Sequence, residues 1–180
     1  MLLMNFTIKV FKLFLVIFIV LGVAILCLVK DANKYLSLRY NQSTSEPIGE
    51  YLILPWVLTK GNTYLVCLEK KFYIKVLQDI GLMDNNDCKS KNATLLKTIV
   101  GSPGDIVNVE EGGVLINGEL LQNSIAIKNT KLGIGLHPIL PKTKFILGKK
   151  DYWVHGITKN SYDSRYFGVV SENEIYGRAI

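Results

Sequence analysis

From Leu13 to Val29 the chain reads LFLVIFIVLGVAILCLV, without one charged residue. Such a run has no polar face to present to water. With Val10, Phe11 and a snorkelling Lys12 it approaches the roughly 20 residues that cross a bilayer as a helix. A cleavable signal would have a shorter apolar core followed by small residues, whereas this run passes directly into Lys30-Asp31-Ala32-Asn33-Lys34. The sequence therefore predicts an uncleaved N-terminal transmembrane helix spanning about 11–29, within an anchor segment 1–34, followed by one domain over 35–180. Lys9 and Lys12 precede the span while Lys30, Lys34 and Arg39 follow it, so charge leaves its orientation open.

From Tyr51 onward the chain is a succession of short β-branched and aromatic runs broken by turn residues: YLIL, NTYLVCL, TLLKTIV, DIVNV, GVLING, ELLQ, TKFIL, DYWVHGI and EIYGRAI. This pattern predicts a mainly β domain. Glu110-Glu111-Gly112-Gly113 and Asn117-Gly118 have hairpin-turn chemistry, the second because Asn-Gly readily takes the positive φ angles of a type I′ turn. Lys70 to Ile80 departs from the pattern: its apolar residues fall near helical spacing before Gly81, which predicts one short helix with a glycine cap. Met83 to Asn92 reads as a polar loop.

The net charge of +6 is spread along the chain. Its one local cluster, Lys142, Lys144, Lys149 and Lys150, sits in an expected hairpin and reads as a solvated face. No basic run is interleaved with stacking aromatics, so no nucleic-acid partner is expected. Of the cysteines, Cys27 lies in the apolar run. Cys67 and Cys88 are either unrelated thiols or, in an oxidising compartment, the ends of a loop of about twenty residues whose closure contributes on the order of 3 kcal/mol. Neither a C-x-x-C pair nor a nearby histidine offers a zinc site, and neither metal nor cofactor is expected.

Lys97 is the residue that fits its surroundings least. It sits in LLKTIVGSPGD, flanked by Leu95, Leu96, Ile99 and Val100. On a strand it shares a face with Leu95 and Ile99, and if that face is buried the amine is desolvated and favours its neutral form. A neutral lysine is a general base. The alternative is an edge-strand lysine whose stem packs while its head reaches water. A matching nucleophile is offered by Ser45, within NQSTSEPIGEY, where Pro47 and Gly49 enforce a turn that can present the serine beside backbone N–H groups. Equally, such a cluster can be a plain linker. Ser45, His155 and Asp163 also contain the residue types of a conventional triad, but His155 is expected to pack beside Trp153 instead.

The C-terminal stretch Asn160-Ser161-Tyr162-Asp163-Ser164-Arg165-Tyr166-Phe167-Gly168, followed by Glu174-Ile175-Tyr176-Gly177-Arg178-Ala179, resembles the signature of the signal peptidase I superfamily of Ser/Lys proteases. Lys97 to Asp105, with Ile116-Asn117-Gly118 after it, is similar to that superfamily's catalytic-lysine box. Where ordinary signal peptidases follow the serine with Met-x-Pro, Ser45-Glu46-Pro47-Ile48-Gly49-Glu50-Tyr51 resembles the S-x-P-x-G-x-Y of the TraF-type conjugative-transfer peptidases.

The resemblance implies a signal-peptidase-like antiparallel β-sheet and coiled-barrel domain behind a membrane anchor. It implies Ser45 as nucleophile and Lys97 as general base, with Ser43 lending a hydroxyl to the oxyanion hole. Ser161 would orient the lysine amine, and Asp163 with Arg165 would form a supporting ion pair. It also places Cys67 and Cys88 where TraF-like sequences carry a cysteine pair. The superfamily often has arginine directly after the lysine; here Thr98 stands there, which implies a smaller ion network. The implied protein is a single-pass inner-membrane endopeptidase, its domain on the periplasmic side. Its substrate would be a membrane-associated precursor such as a prepilin or another component of a conjugative or type IV secretion system. A general signal peptidase would carry the same dyad, and a non-catalytic scaffold of a secretion complex the same fold. A self-cleaving LexA-like regulator would carry a DNA-binding domain where this chain has its apolar run.

Overall fold

The computed structural model describes residues 14–22, 37–55, 57–68, 77, 94–129, 135–139 and 142–180. The chain divides into two compact units, Met1–Ser37 and Leu38–Ile180. In the first, residues 14–22 form a helix, α1, with Phe14 to Leu21 exposed. Among the described residues no helix is long and apolar enough to cross a membrane. The remainder of the expected anchor lies outside them.

The second unit is built from antiparallel strands: β1 (Ser37–Asn41), β2 (Gly49–Leu54), β3 (Thr63–Cys67), β4 (Thr94–Gly101), β5 (Ile106–Glu110), β6 (Gly113–Ile116), β7 (Glu119–Leu120), β8 (Thr143–Ile146), β9 (Asp151–His155), β10 (Val170–Ser171) and β11 (Ile175–Ala179). Each of the nine β-type runs in the sequence becomes one of them. A seven-stranded sheet runs β1-β2-β11-β3-β4-β9-β10, and a four-stranded sheet runs β7-β6-β5-β8.

β4 lies inside the larger sheet, paired with β3 on one side and β9 on the other. Alternation sends Leu95 and Ile99 into a core shared with Tyr64, Val66 and Val154. Leu96 points the opposite way, against Ile53, Leu65 and Ala179. Both faces of β4 are thus covered by apolar side chains, each contributing roughly 2 kcal/mol when fully buried. The strand carries Lys97 into the interior because its neighbours gain more from burial than an exposed register would offer.

The smaller sheet packs Val107, Val109, Val114 and Ile116 with Leu147 and Trp153. Its β6–β7 turn is Asn117-Gly118, with φ of 54° and 88°, the left-handed pair expected of a type I′ hairpin. Asp105 fastens the turn after β4 to this hairpin. Its carboxylate accepts from Ser102 N at 2.7 Å, Asn117 Nδ2 at 2.7 Å and Lys60 Nζ at 3.0 Å. Although burial pushes the Asp105 carboxyl upward, these hydrogen bonds and the Lys60 charge hold it below its ordinary value. The G-S-P-G-D and I-N-G motifs are therefore two halves of one joint.

Four elements among the described residues are absent from the sequence-based expectation: edge strand β1, the two-residue β10, the helix α2 (Ser164–Phe167) and the 3-10 turn Glu172–Glu174. Asp163 caps α2 by accepting from Arg165 N, and Gly168 ends it at φ 79°. The short helix expected at Lys70 to Ile80 lies outside the described residues except for Leu77, which is helical and fully buried. Cys67 ends β3, buried; Cys88 lies outside the described residues.

Candidate active site

Ser45 sits in the tight turn between β1 and β2, and the last residue of β1 organises that turn. Asn41 is buried; its Nδ2 lies 3.0 Å from Ser43 O, 3.0 Å from Glu46 O and 2.9 Å from Pro47 O. Its Oδ1 accepts from Ser43 N at 3.1 Å and Ser43 Oγ at 3.0 Å. One amide side chain thus satisfies both ends of the 43–47 stretch of this turn, which has no sheet partner to hold it. From outside, Ile157 N donates to Ser45 O at 2.8 Å. Gly156 permits that approach, because a Cβ there would stand 2.8 Å from Ser45 O and inside van der Waals contact of the Ser161 side chain.

The turn delivers Ser45 Oγ to 2.9 Å from Lys97 Nζ, across a sequence separation of 52 residues. Ser45 is 8% exposed and Lys97 2%. The amine also donates to Leu96 O at 2.8 Å, and Ser43 Oγ lies 2.8 Å from Ser45 Oγ. Burial lowers the Lys97 ammonium to about 8, against the opposing pull of the Asp163 and Glu46 carboxylates and with a smaller push from Arg165. About one molecule in ten then holds a neutral amine at pH 7.

Hydrogen-bond inventory fixes two states of this chain of hydroxyls. With Lys97 protonated, the ammonium donates to Ser45, Ser45 donates to Ser43, and Ser43 donates to Asn41 Oδ1, which can only accept. With Lys97 neutral, its lone pair can accept the Ser45 proton. The loss of one proton thus lets Ser45 Oγ donate to Lys97 Nζ instead of accepting from it.

Beneath the pair lies a buried ion network. Arg165 Nε and NH2 each stand 2.8 Å from an Asp163 oxygen, a two-pronged pair. The same guanidinium donates to the carbonyls of Asn123, Ile125, Thr158, Lys159 and Ser161 at 2.8–3.3 Å. Burial pushes the Asp163 carboxyl upward, but contacts with His155 and Arg165 outweigh it and hold the group well below the usual carboxylate range. The Asp163–Arg165 pair binds the 122–125 and 158–161 loops together.

His155 does not complete a triad with Ser45. Its Nδ1 lies 3.1 Å from Asp163 Oδ2, and its Nε2 is taken by Gln122 O at 2.9 Å. It belongs to the Asp163 network, not to a simple packing contact beside Trp153. Ser161 lines the same cleft, but its buried Oγ makes no hydrogen bond, and the lysine amine is oriented by Leu96 O instead. Glu46 and Asn41 escaped the sequence reading. The cleft, about 680 Å³, is open to solvent and bounded by Arg39, Tyr40, Thr44, Leu65, Leu96 and Asn160.

Residues 10–180 match the family described as signal peptidase, peptidase S26. The chain belongs to this family. Among curated relatives, this S26 peptidase family member is 29% identical over 159 residues to a plasmid transfer protein TraF from Escherichia coli, covering 87% of this chain and 88% of that one. A conjugal transfer protein TraF from Agrobacterium fabrum is 24% identical over 143 residues, covering 78% of this chain and 79% of the relative. A signal peptidase I from Leptolyngbya laminosa is 32% identical over 91 residues, covering 51% of this chain and 41% of the relative.

In this S26 family member the Asn41 side chain is expected to be indispensable to the turn. Asn41→Ala takes the side-chain partner from the carbonyls of Ser43 and Glu46 and from Ser43 N, while Pro47 O keeps the Tyr51 hydroxyl and Ser43 Oγ keeps Ser45. A loss of about 2 kcal/mol is expected, read as a fall in melting temperature of roughly 5 °C. A melting curve that overlays the wild type would show that the turn holds itself.

Proposed function

We propose that this peptidase-family member is a membrane-anchored serine endopeptidase that removes the leader segment of a membrane-associated precursor, using Ser45 as nucleophile and Lys97 as general base. The observation that carries this reading is the 2.9 Å approach of the buried Lys97 Nζ to the buried Ser45 Oγ at the floor of the cleft. The neutral amine takes the Ser45 proton while Oγ adds to the scissile carbonyl. The resulting oxyanion is met by the Ser45 N–H and by the Ser43 hydroxyl, which must turn away from Asn41 to reach it. Collapse breaks the C–N bond, and the proton passes from Lys97 to the leaving amine. Water then repeats the sequence on the acyl-enzyme, the lysine again taking and returning one proton.

The domain over 35–180 is proposed to lie on the extracytoplasmic face of a bacterial inner membrane, tethered by the apolar run within 1–34. Tethering confines enzyme and precursor to one surface and raises their effective concentration. Cys67 and Cys88 are proposed to pair there. The substrate is proposed to be a prepilin-like component of a conjugative or type IV secretion system. This is favoured over a general signal peptidase by the TraF-like Ser45–Tyr51 stretch, and because the TraF relative aligns over 87% of the chain against 72% for a signal peptidase I T from Bacillus subtilis.

The proposal predicts a pH profile. Because the active form has lost the lysine proton and the amine titrates near 8, kcat/KM should rise through about pH 8 and level off above it. The purified full chain, added to membranes from Ser45→Ala cells, supplies the test: new precursor N-termini are counted by mass spectrometry from pH 6 to 10. A rate that is flat across that range, or falls as pH rises through 8, would exclude neutral Lys97 as the base.

A further inference from the structure

The residue after the nucleophile and the residue after the base touch each other. Glu46, 2% exposed, accepts from Thr98 N at 3.0 Å and from Thr98 Oγ1 at 3.1 Å, both through Oε1. Thr98 Oγ1 in turn lies 3.0 Å from Thr63 Oγ1, so once the Thr98 hydrogen is committed to Glu46, Thr63 is the donor. Burying a carboxylate costs several kcal/mol unless its lone pairs are well met. A residue needed only to fill this turn would not be an acid. The buried acid also stands opposite Thr98, where the superfamily resemblance leads one to expect arginine.

We propose that Glu46 and Thr98 form a positioning clasp that ties the Ser45 turn to the Lys97 strand and thereby sets the distance between hydroxyl and amine. The inference rests on the Ser/Lys reading above. Its geometric basis is a closed ring: Ser45 joins Glu46 through the chain, Glu46 joins Thr98 by hydrogen bonds, Thr98 joins Lys97 through the chain, and Lys97 joins Ser45 at 2.9 Å. Two rungs between the same two segments share one register. If the Glu46 rung is released, the turn keeps its bonds to Asn41, Tyr51 and Ile157, and the Lys97–Ser45 contact is the one bond left in the ring that joins it to β4.

The clasp has an electrostatic consequence. Lys97 is faced by the Asp163 and Glu46 carboxylates, which favour its charged form, and by Arg165, which opposes it. Glu46 is itself faced by Lys97, His155 and the Tyr51 phenol, and burial raises its carboxyl. Removing the Glu46 charge while keeping its oxygen should therefore make Lys97 easier to deprotonate.

The test uses Glu46→Gln, Glu46→Ala, Thr98→Val, Thr98→Ser and the double variant Glu46→Ala/Thr98→Val. Each purified full chain is assayed on uncut precursor in membranes from Ser45→Ala cells. The Lys97 ε-methylene is titrated in parallel by carbon-13 NMR. For Glu46→Gln, both the ascending limb of the rate profile and the Lys97 titration should move down by about one pH unit, with at least a third of the plateau rate kept. Glu46→Ala and Thr98→Val should each lose about tenfold in kcat with KM within about twofold, Thr98→Ser should restore the rate, and the double variant should be no slower than Glu46→Ala. An unmoved Glu46→Gln titration together with additive losses in the double variant would overturn the clasp. If Lys97→Ala processes precursor like the wild type, the Ser/Lys reading has failed instead. The NMR titration then still decides whether Glu46 acts on Lys97.

Discussion

Lys97→Arg is expected to lose at least about a thousandfold in precursor processing although it keeps the positive charge. The guanidinium stays protonated at any usable pH, so it cannot accept the Ser45 proton. Its planar fork must also fit where a single Nζ now bridges Ser45 Oγ and Leu96 O. The assay counts cleaved precursor N-termini, with circular dichroism confirming that the variant is folded. Processing within tenfold of the wild type would contradict a role for Lys97 as base. Lys97→Met separates chemistry from stability. The folded lysine titrates near 8 rather than at its ordinary 10.5, so the folded chain binds fewer protons between those values. Below pH 8 the buried cation opposes folding by on the order of 3 kcal/mol, and this penalty fades as pH rises toward 10.5. Lys97→Met should be inactive, and its stability should lack that rise.

Asp163→Ala should produce the largest loss of stability. It leaves a fully buried guanidinium facing five carbonyls with no counter-charge. Breaking a buried pair on one side costs about 3–5 kcal/mol, or a fall of roughly 10 °C in melting temperature for a domain of this size. Because the Asp163 carboxyl is held below its ordinary value, its contribution is present at neutral pH and fades only as the pH falls beneath the usual carboxylate range. A melting temperature within 2 °C of the wild type at pH 7 would show that Arg165 is satisfied by carbonyls alone.

The strands were legible in the sequence because nearly all are short apolar runs bounded by turn residues, and the sheets bury one or both faces of most of them. β1 was not, because it is an edge strand whose Leu38 and Tyr40 remain exposed, so its apolar residues mark no core. α2 was hidden by its length: four residues show no helical period, and its boundaries come from the Asp163 cap and Gly168. At the site, Lys97 betrayed itself as a charge inside an apolar alternation. Glu46 and Asn41 gave no such signal. Acidic and amide residues in a turn ordinarily meet water, and only tertiary structure shows that one reaches Thr98 and the other spans the turn. Ser161 illustrates the reverse, since its motif was plain but its hydroxyl takes no hydrogen bond to the lysine.

The central claim is that Ser45 and Lys97 together cut a small set of membrane-associated precursors. It is tested most directly by comparing membrane and periplasmic protein N-termini, by mass spectrometry, in cells carrying the intact gene, Ser45→Ala or Lys97→Ala. The account predicts that the same one or two prepilin-like precursors accumulate uncut in both variants. N-termini unchanged in either variant would contradict it.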